Sequence, residues 1–105
     1  MFTYSATVVR VVDGDTLVLQ FDLGFHIYHQ ACVRLRGIDC PERGTQGGTN
    51  ATAFLNKLCP IGTRCAVTTI KDATDKYGRY LAVIYLPEAG DLAAFLIANG
   101  HGILR

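Results

Sequence analysis

Three strand-like runs follow one another in the first third of the chain, and they constrain the fold more than any other feature. The first, roughly residues 3–12, is rich in β-branched valines. The second, residues 16–23, reads TLVLQFDL and alternates apolar with polar side chains. Asp-Gly-Asp at 13–15 and Gly24 supply turns, and a third run covers roughly residues 27–38. This order predicts consecutive strands, with the second and third forming a hairpin.

A helix is predicted after the third strand. The segment ATAFLNKL, residues 51–58, has apolar side chains at its first, fourth, fifth and eighth positions, which is the period of a helix. Either Thr49 or Asn50 can cap its start, and Pro60 ends it. The glycine-rich residues 44–50 before it are expected to form a loop.

Two further strands and a second helix complete the prediction. Strands are predicted at 64–70 and 79–86, and a helix at 91–100 with Asp91 as its cap and Gly100 at its end. Five strands with one helix between the third and fourth, and another at the C-terminus, are typical of an OB-fold barrel. We therefore expect a mainly β, α+β protein with one domain spanning all 105 residues. The last helix is apolar all round, so it is either deeply packed or part of an oligomer interface; we expect a monomer.

Composition narrows the class of protein. Half of the residues are apolar, as in globular domains. No run of 18 apolar residues exists, so we expect no membrane span, and the N-terminus lacks the pattern of a secretion signal. A cytoplasmic location is expected, with secretion of a longer precursor as the alternative. The four cysteines include no CxxC pair, which argues against a zinc site and for reduced thiols, although a Cys59–Cys65 bridge remains an alternative.

Acidic side chains are concentrated in two short clusters. Asp13 and Asp15 flank a glycine, and Asp39 and Glu42 lie in the sequence DCPE. The net charge of +1 is by itself a weak argument against nucleic-acid binding. However, these clusters contain four of the nine acids, so a cation bound to them would leave a moderately basic surface.

Hairpin geometry predicts that the two clusters meet. The turn is expected near Gly24 to His26, and residue 27 is the midpoint between Asp15 and Asp39, so a hairpin folded there brings both carboxylates to the same end of the sheet. Neighbouring carboxylates repel unless a cation lies between them. Hard divalent cations prefer oxygen ligands, and the main-chain carbonyl of Cys40 can be a third. Asp13 is expected beside the ligands without binding the metal directly.

Two arginines predict the other half of the site. Arg34 lies five residues before the second acidic cluster, and Arg79 opens the fifth strand. A guanidinium matches two phosphate oxygens at once. Acids, a metal and two arginines together are typical of a site that cleaves phosphodiesters, in which Glu42 would orient or deprotonate a water. As alternatives, Arg79 pairs with Asp75 on the surface, and the two acidic clusters are ordinary turns and caps.

Three motifs in order, VVDGDTLVL, VRLRGIDCPE and DKYGR, resemble the staphylococcal nuclease-like (thermonuclease) domain over nearly the whole chain. The resemblance implies calcium as the cofactor, with Asp15, Asp39 and the carbonyl of Cys40 as ligands. Cys40 stands where the family has threonine. Its thiol is expected to be unreactive, because acidic neighbours raise a thiol pKa.

The resemblance also assigns residues to the substrate. It implies that Arg34 and Arg79 hold the scissile phosphate, that Glu42 serves the water, and that Lys76 and Tyr77 contact a neighbouring phosphate. The implied reaction is Ca²⁺-dependent hydrolysis of DNA or RNA, which breaks the bond to the 5′-oxygen and leaves 3′-phosphates. The segment after Glu42 is glycine-rich rather than lysine-rich, which removes some positive charge.

Two other functions compete with a nuclease. OB barrels often bind single-stranded nucleic acid or proteins without chemistry. Alternatively, a bound metal would only stabilise the fold. The joint presence of Asp15, Arg34, Asp39, Glu42 and Arg79 favours the nuclease.

Overall fold

The computed structural model describes residues 2–74 and 79–104, with side chains described at 3–70 and 79–104. The elements in these ranges are β1 (Phe2–Asp13), β2 (Thr16–Asp22), β3 (Tyr28–Leu35), β4 (Ile38–Asp39), α1 (Gln46–Leu58), β5 (Arg64–Thr74), β6 (Tyr80–Leu86), β7 (Gly90–Asp91), α2 (Leu92–Ala98) and β8 (Ile103–Leu104).

The five long strands form a closed barrel. Its order is β3-β2-β1-β5-β6, with antiparallel neighbours throughout. The barrel closes because β3 and β6 pair in parallel, Val33 with Tyr80 and Leu35 with Ala82. The predicted OB-type barrel, with one helix between the third and fourth long strands and one near the C-terminus, is confirmed. The fifth strand is β6, and it begins one residue later than expected.

The hairpin of β2 and β3 turns where the sequence predicted, but its register differs. Asp22 pairs with Tyr28, so the hairpin is centred on residue 25 rather than 27. Asp15 therefore lies opposite Leu35, whose N–H donates to the Asp15 carbonyl at 2.8 Å. This centre lies within the expected turn at Gly24 to His26, but the register does not by itself bring Asp39 opposite Asp15.

A turn at Gly37 brings Asp39 towards Asp15. The predicted third strand, 27–38, is divided in the structure, because β3 ends at Leu35 and Gly37 adopts a left-handed φ of 83°. The chain then forms the short strand β4, in which Asp39 pairs with Ile103 of β8. This change of direction, and not a continuous strand, brings Asp39 back towards Asp15.

Helix α1 begins earlier than predicted. Its first residue is Gln46, and the Thr45 hydroxyl caps it by accepting a hydrogen bond from the Gly48 N–H at 3.0 Å. The prediction that residues 44–50 form a loop, capped by Thr49 or Asn50, was therefore wrong for most of that segment. Its end at Leu58, before a proline, agrees with the prediction.

The glycines that indicated a loop have a packing role instead. A Cβ on Gly48 would overlap the carbonyl oxygen of Glu42, and one on Gly47 would lie 3.1 Å from the ring of Pro41. The first turn of α1 thus contains glycine because the 41–42 backbone packs directly against it.

Both helices contribute to one core inside the barrel. Helix α2 is capped by Asp91, whose Oδ1 accepts from the Ala94 N–H at 3.2 Å, and Gly100 follows its end with a φ of 79°. No helix among the described residues is long and apolar enough to cross a membrane. Completely buried core side chains include Leu17, Leu19, Val33, Leu35 and Val67 from the barrel, Leu55 from α1, and Leu92 and Leu96 from α2.

Candidate functional site

The two predicted acidic clusters meet at Arg34. Its Nη2 atom lies 3.5 Å from Asp15 Oδ2 and 3.6 Å from Asp39 Oδ1. Only 12% of the Arg34 side chain and 13% of the Asp15 side chain are exposed, against 57% for Asp39. The register of the sheet explains the first contact, because Arg34 pairs with Thr16, next to Asp15. The structure therefore brings these three predicted residues together, with Asp39 on the solvent side.

Thr16 connects this cluster to Arg79. Its side chain is 1% exposed, and its hydroxyl donates to Asp15 Oδ1 at 3.0 Å while it accepts from Arg79 Nη1 at 3.1 Å. Arg79 reaches this position because it directly precedes Tyr80, where β6 begins to pair with β3. A hydroxyl suits the position since it can donate and accept at once.

The sequence argument missed Thr16. Strand alternation assigned it to the polar face of the second strand and gave it no function. Its place directly after the acids of the DGD turn was the available signal, because a hydroxyl there can bond to a neighbouring carboxylate.

Asp13 and Asp15 influence each other strongly. Asp13 Oδ1 accepts a hydrogen bond from the Asp15 N–H at 3.2 Å. Burial would raise the pKa of Asp13, but hydrogen bonds from its neighbours hold that pKa below the ordinary value. The pKa of Asp15 is raised, first by burial and then by Asp13. Asp15 is therefore a carboxylate whose charge a nearby cation would stabilise.

Gly14 and Cys40 pack beneath this turn. A Cβ on Gly14 would lie 2.8 Å from the Ala51 Cβ of α1 and 3.2 Å from Cys40 Sγ, so only glycine fits without movement. Burial, and then the charges of Asp15 and Asp13, raise the pKa of the Cys40 thiol to about 12. The predicted rise of the Cys40 thiol pKa agrees with the structure, and burial contributes more to it than the acids do.

Glu42 follows Asp39 by three residues and is exposed. Its main-chain carbonyl accepts hydrogen bonds from the Thr45 N–H at 3.2 Å and the Thr45 hydroxyl at 2.6 Å. The backbone of Glu42 is thus fixed against the start of α1, while its side chain is exposed.

A family model described as staphylococcal nuclease homologue matches residues 32–104. The chain belongs to the staphylococcal nuclease family. The family resemblance predicted from the three motifs is confirmed. The matched region contains Arg34, Asp39, Glu42 and Arg79, whereas Asp15 precedes it.

The chain is similar to two named curated proteins. A protein named micrococcal nuclease from Shigella flexneri is 33% identical over 84 residues, which are 80% of this chain and 44% of that protein. A protein named uncharacterized endonuclease from Escherichia coli O157:H7 is 31% identical over 93 residues, or 89% of this chain and 56% of that protein. The chain thus spans about half the length of the curated relatives it matches.

Lys76 and Tyr77 of this chain, the two predicted substrate residues, lie outside the described residues. Asp75, the alternative partner of Arg79, lies outside them as well. In the parts of the chain that are described, no three His, Cys, Asp or Glu side chains form a metal-binding group. The predicted calcium site would not form such a group, because it needs only two side chains, the carboxylates of Asp15 and Asp39. Its third ligand would be the main-chain carbonyl of Cys40.

Proposed function

We propose that the chain is a metal-dependent nuclease that hydrolyses phosphodiester bonds of DNA or RNA. The observation that carries this proposal is the arrangement of charges around Arg34. Its guanidinium faces Asp15 and Asp39, and Thr16 connects the same cluster to Arg79. Two arginines beside two carboxylates provide anion binding and cation binding within one site.

Arg34 retains the capacity to bind a phosphate. Its contacts to Asp15 and Asp39 are 3.5 and 3.6 Å long, whereas a charge-assisted hydrogen bond is roughly 2.7–2.9 Å. The acids therefore balance its charge without saturating its five N–H donors. Arg79 is held by Thr16 through one terminal nitrogen. Together the two guanidinium groups would bind the scissile phosphate and offset the charge that grows on it.

Calcium is the cofactor that the family resemblance implies, and the donors suit a hard divalent cation. Asp15 and Asp39 supply hard carboxylate oxygens, Cys40 supplies its carbonyl, and Asp13 lies beside them. The raised pKa of Asp15 supports this choice, because a buried carboxylate of that kind is stabilised by a bound cation. When bound, the ion would supply Lewis acidity to a phosphoryl oxygen.

Glu42 would activate the attacking water. Its backbone is anchored at Thr45 and its side chain is exposed, so the carboxylate is accessible to a water from which it would take a proton. We propose cleavage of the bond to the 5′-oxygen with 3′-phosphate products, as the family resemblance implies. Lys76 and Tyr77 would contact a neighbouring phosphate, and the names of the relatives, micrococcal nuclease and endonuclease, support a nucleic-acid substrate.

Cleavage of denatured DNA and of RNA, with Ca²⁺ and with EGTA, tests the proposal. We expect products with Ca²⁺ alone. Glu42→Gln should lower the rate about 10²–10⁴-fold, while Glu88→Gln, a matched change of an exposed glutamate outside the site, should leave it unchanged. Equal cleavage by wild type and Glu42→Gln would contradict the assignment of the water to Glu42.

A non-catalytic binding module is the second candidate. It is favoured by the contacts of Arg34, whose charge the two acids already balance in this structure. Oligonucleotide binding that persists unchanged in EGTA, without any product in Ca²⁺, would support this module and contradict the nuclease. A cytoplasmic location and a monomeric state stay predictions.

A further inference from the structure

The two carboxylates of the proposed metal site are held to very different degrees. The Asp15 side chain is 13% exposed and accepts a hydrogen bond from Thr16, whereas the Asp39 side chain is 57% exposed. Asp39 lies 3.6 Å from Arg34, beyond the roughly 2.7–2.9 Å of a charge-assisted hydrogen bond. The position of the Asp39 carboxylate therefore depends mainly on the backbone that carries it.

That backbone belongs to a strand of two residues. Strand β4 pairs with β8, in which Ile103 is the partner of Asp39 and Leu104 is the partner of Ile38. Even a complete two-stranded hairpin is only marginally stable by itself in water. This short pairing can therefore place Asp39 accurately only if β8 is itself fixed to the rest of the molecule.

The end of helix α2 fixes the segment that contains β8, residues 101–104. The Gly100 N–H donates to the Ile97 carbonyl at 3.0 Å, and the His101 N–H donates to the Leu96 carbonyl at 2.9 Å. With a left-handed φ of 79° at Gly100, these two bonds form a Schellman motif, a turn that ends many helices. Leu96 is completely buried, so the turn joins the 101–104 segment to the core.

Two further contacts hold the same segment in place. The His101 ring lies against the Phe54 ring of α1, with centroids 4.3 Å apart and 30° between the ring planes. Gly102 lies directly against β4, because a Cβ there would be 2.6 Å from Ile38 Cδ1 and 3.4 Å from the Asp39 carbonyl oxygen. Ile38 is completely buried, so it has little room to move. His101 thus connects the segment to α1, and Gly102 brings it against β4.

The side chains of β8 contribute little to this arrangement. Ile103 is 67% exposed and Leu104 is 80% exposed, so their burial does not account for the position of β8. The Schellman turn, the His101 ring and the close approach of Gly102 do account for it. Their combined effect falls on Asp39, because Asp39 is the residue of β4 that carries a proposed metal ligand.

We propose that the 101–104 segment positions Asp39 to bind Ca²⁺, with His101 and Gly102 as positioning residues. This inference rests on the proposed nuclease function and concerns its metal site. Loss of a group that orients a metal ligand typically costs about 10–100-fold in metal affinity. Neither positioning residue needs to contact the ion or the substrate for this role.

Calcium titration without substrate measures the inference directly. In calorimetry, His101→Ala should weaken Ca²⁺ binding about tenfold, because the segment loses its contact with α1. His101→Phe keeps a ring against Phe54 and should bind Ca²⁺ like wild type. His29→Ala changes an exposed histidine of β3; it is the matched control and should also bind like wild type.

Gly102→Ala is an independent variant with the same readout. Gly102 is not among the glycines with a positive φ, so the effect comes from the new Cβ against Ile38, and Ca²⁺ binding should weaken at least as much as in His101→Ala. Val67→Ala, a change of a completely buried side chain in β5, controls for lost stability. It should lower the melting temperature without changing Ca²⁺ affinity at a temperature where the protein is folded. If Gly102→Ala does not fold, His101→Ala and His101→Phe decide the question.

Cleavage of denatured DNA supplies a second readout. The Ca²⁺ concentration for half-maximal cleavage should rise about tenfold in His101→Ala, whereas the rate at saturating Ca²⁺ should stay close to that of wild type. This split is expected because a displaced ligand lowers the occupancy of the metal site and leaves Arg34 and Arg79 in place. A role in folding alone would not produce it.

Contrary outcomes separate this inference from the proposed function. If Asp39→Asn weakens Ca²⁺ binding while folded His101→Ala and Gly102→Ala bind like wild type, the metal site stands and the positioning role is wrong. If Val67→Ala weakens Ca²⁺ binding as much as they do, lost stability explains the effect and the inference is overturned. If wild type binds no Ca²⁺, or Asp39→Asn binds it like wild type, the proposed metal site is contradicted and the inference fails with it.

Discussion

The candidate site has two halves that are held in different ways. The strand half consists of Asp15, Thr16, Arg34 and Arg79, and sheet register together with a buried hydroxyl fixes it. The loop half, residues 39–42, is mostly exposed.

The loop half depends on glycines elsewhere in the chain. Gly37 turns the backbone towards it, and Gly47 and Gly48 admit it against the start of α1. Substitutions in the strand half should therefore change activity and stability together. In the loop half, side-chain changes should affect activity alone, whereas changes in its glycine supports should affect both.

Removal of the Arg34 guanidinium should have the largest effect on cleavage. Arg34→Met takes away a phosphate ligand and leaves Asp15 and Asp39 facing each other, so we expect kcat/KM in Ca²⁺ to fall about 10²–10³-fold, with a lower melting temperature. Arg36→Met, a change of the exposed arginine two positions along, is the matched control. Equal losses in both variants would show that general positive charge, and not the contacts of Arg34, supports cleavage.

A substitution at Gly48 should disturb the packing of the loop half without changing a catalytic side chain. In Gly48→Ala the new Cβ would overlap the Glu42 carbonyl, which should cost about 1–3 kcal/mol in the free energy of unfolding. Cleavage should fall as well, because Glu42 is displaced. Urea unfolding measures the first effect, and Thr49→Ala, at an exposed helix position, should change stability by less than about 0.5 kcal/mol. A fully stable Gly48→Ala would show that the 41–42 backbone moves freely.

Loss of one hydroxyl should show how the strand half is fixed. Thr16→Val keeps the shape but removes the hydrogen bonds to Asp15 and Arg79, and each such bond contributes roughly 0.5–1.5 kcal/mol to stability. For a domain of this size each kcal/mol lowers the melting temperature by about 4–8 °C. Thr68→Val, which removes an exposed hydroxyl paired with Thr3 at 3.1 Å, should have a much smaller effect. Similar shifts in both variants would contradict a special role for Thr16.

Sequence patterns predicted the strand half better than the loop half. Alternation in TLVLQFDL and the turn residues defined the β2–β3 hairpin, and its observed register pairs Arg34 with Thr16, next to Asp15. The expected turn contains the observed centre, residue 25, but hydrophobic alternation repeats every second residue and so does not by itself fix the register.

Long-range packing explains what the sequence did not reveal. Glycine has low helix propensity, so residues 46–50 were expected to form a loop. Packing of the 41–42 backbone against Gly48 outweighs that preference, and no local pattern records the contact. Thr16 was missed for a related reason, because its partner Arg79 is 63 positions away.

The smallest effect should distinguish the two acids of the DGD turn. Asp15 has a raised pKa, so its ionisation destabilises the fold, and the stability it contributes at low pH is lost as pH rises through its folded pKa. Asp13 has a lowered pKa, so its stabilising effect is present at neutral pH and is lost on acidification. In EGTA near pH 7, Asp15→Asn should raise the melting temperature slightly and Asp13→Asn should lower it.

Acidification checks this assignment, because both differences from wild type should shrink once the two carboxylates are protonated. Arg79 and Arg34 are the cations that act on Asp13 and Asp15, respectively. In Ca²⁺ the melting temperature of wild type should exceed that of Asp15→Asn, the reverse of the order in EGTA. Wild type would be stabilised by the bound ion, whereas the variant lacks one of the ligands for that ion. If both substitutions move the melting temperature in the same direction in EGTA, the opposite effects on stability predicted for Asp13 and Asp15 are wrong.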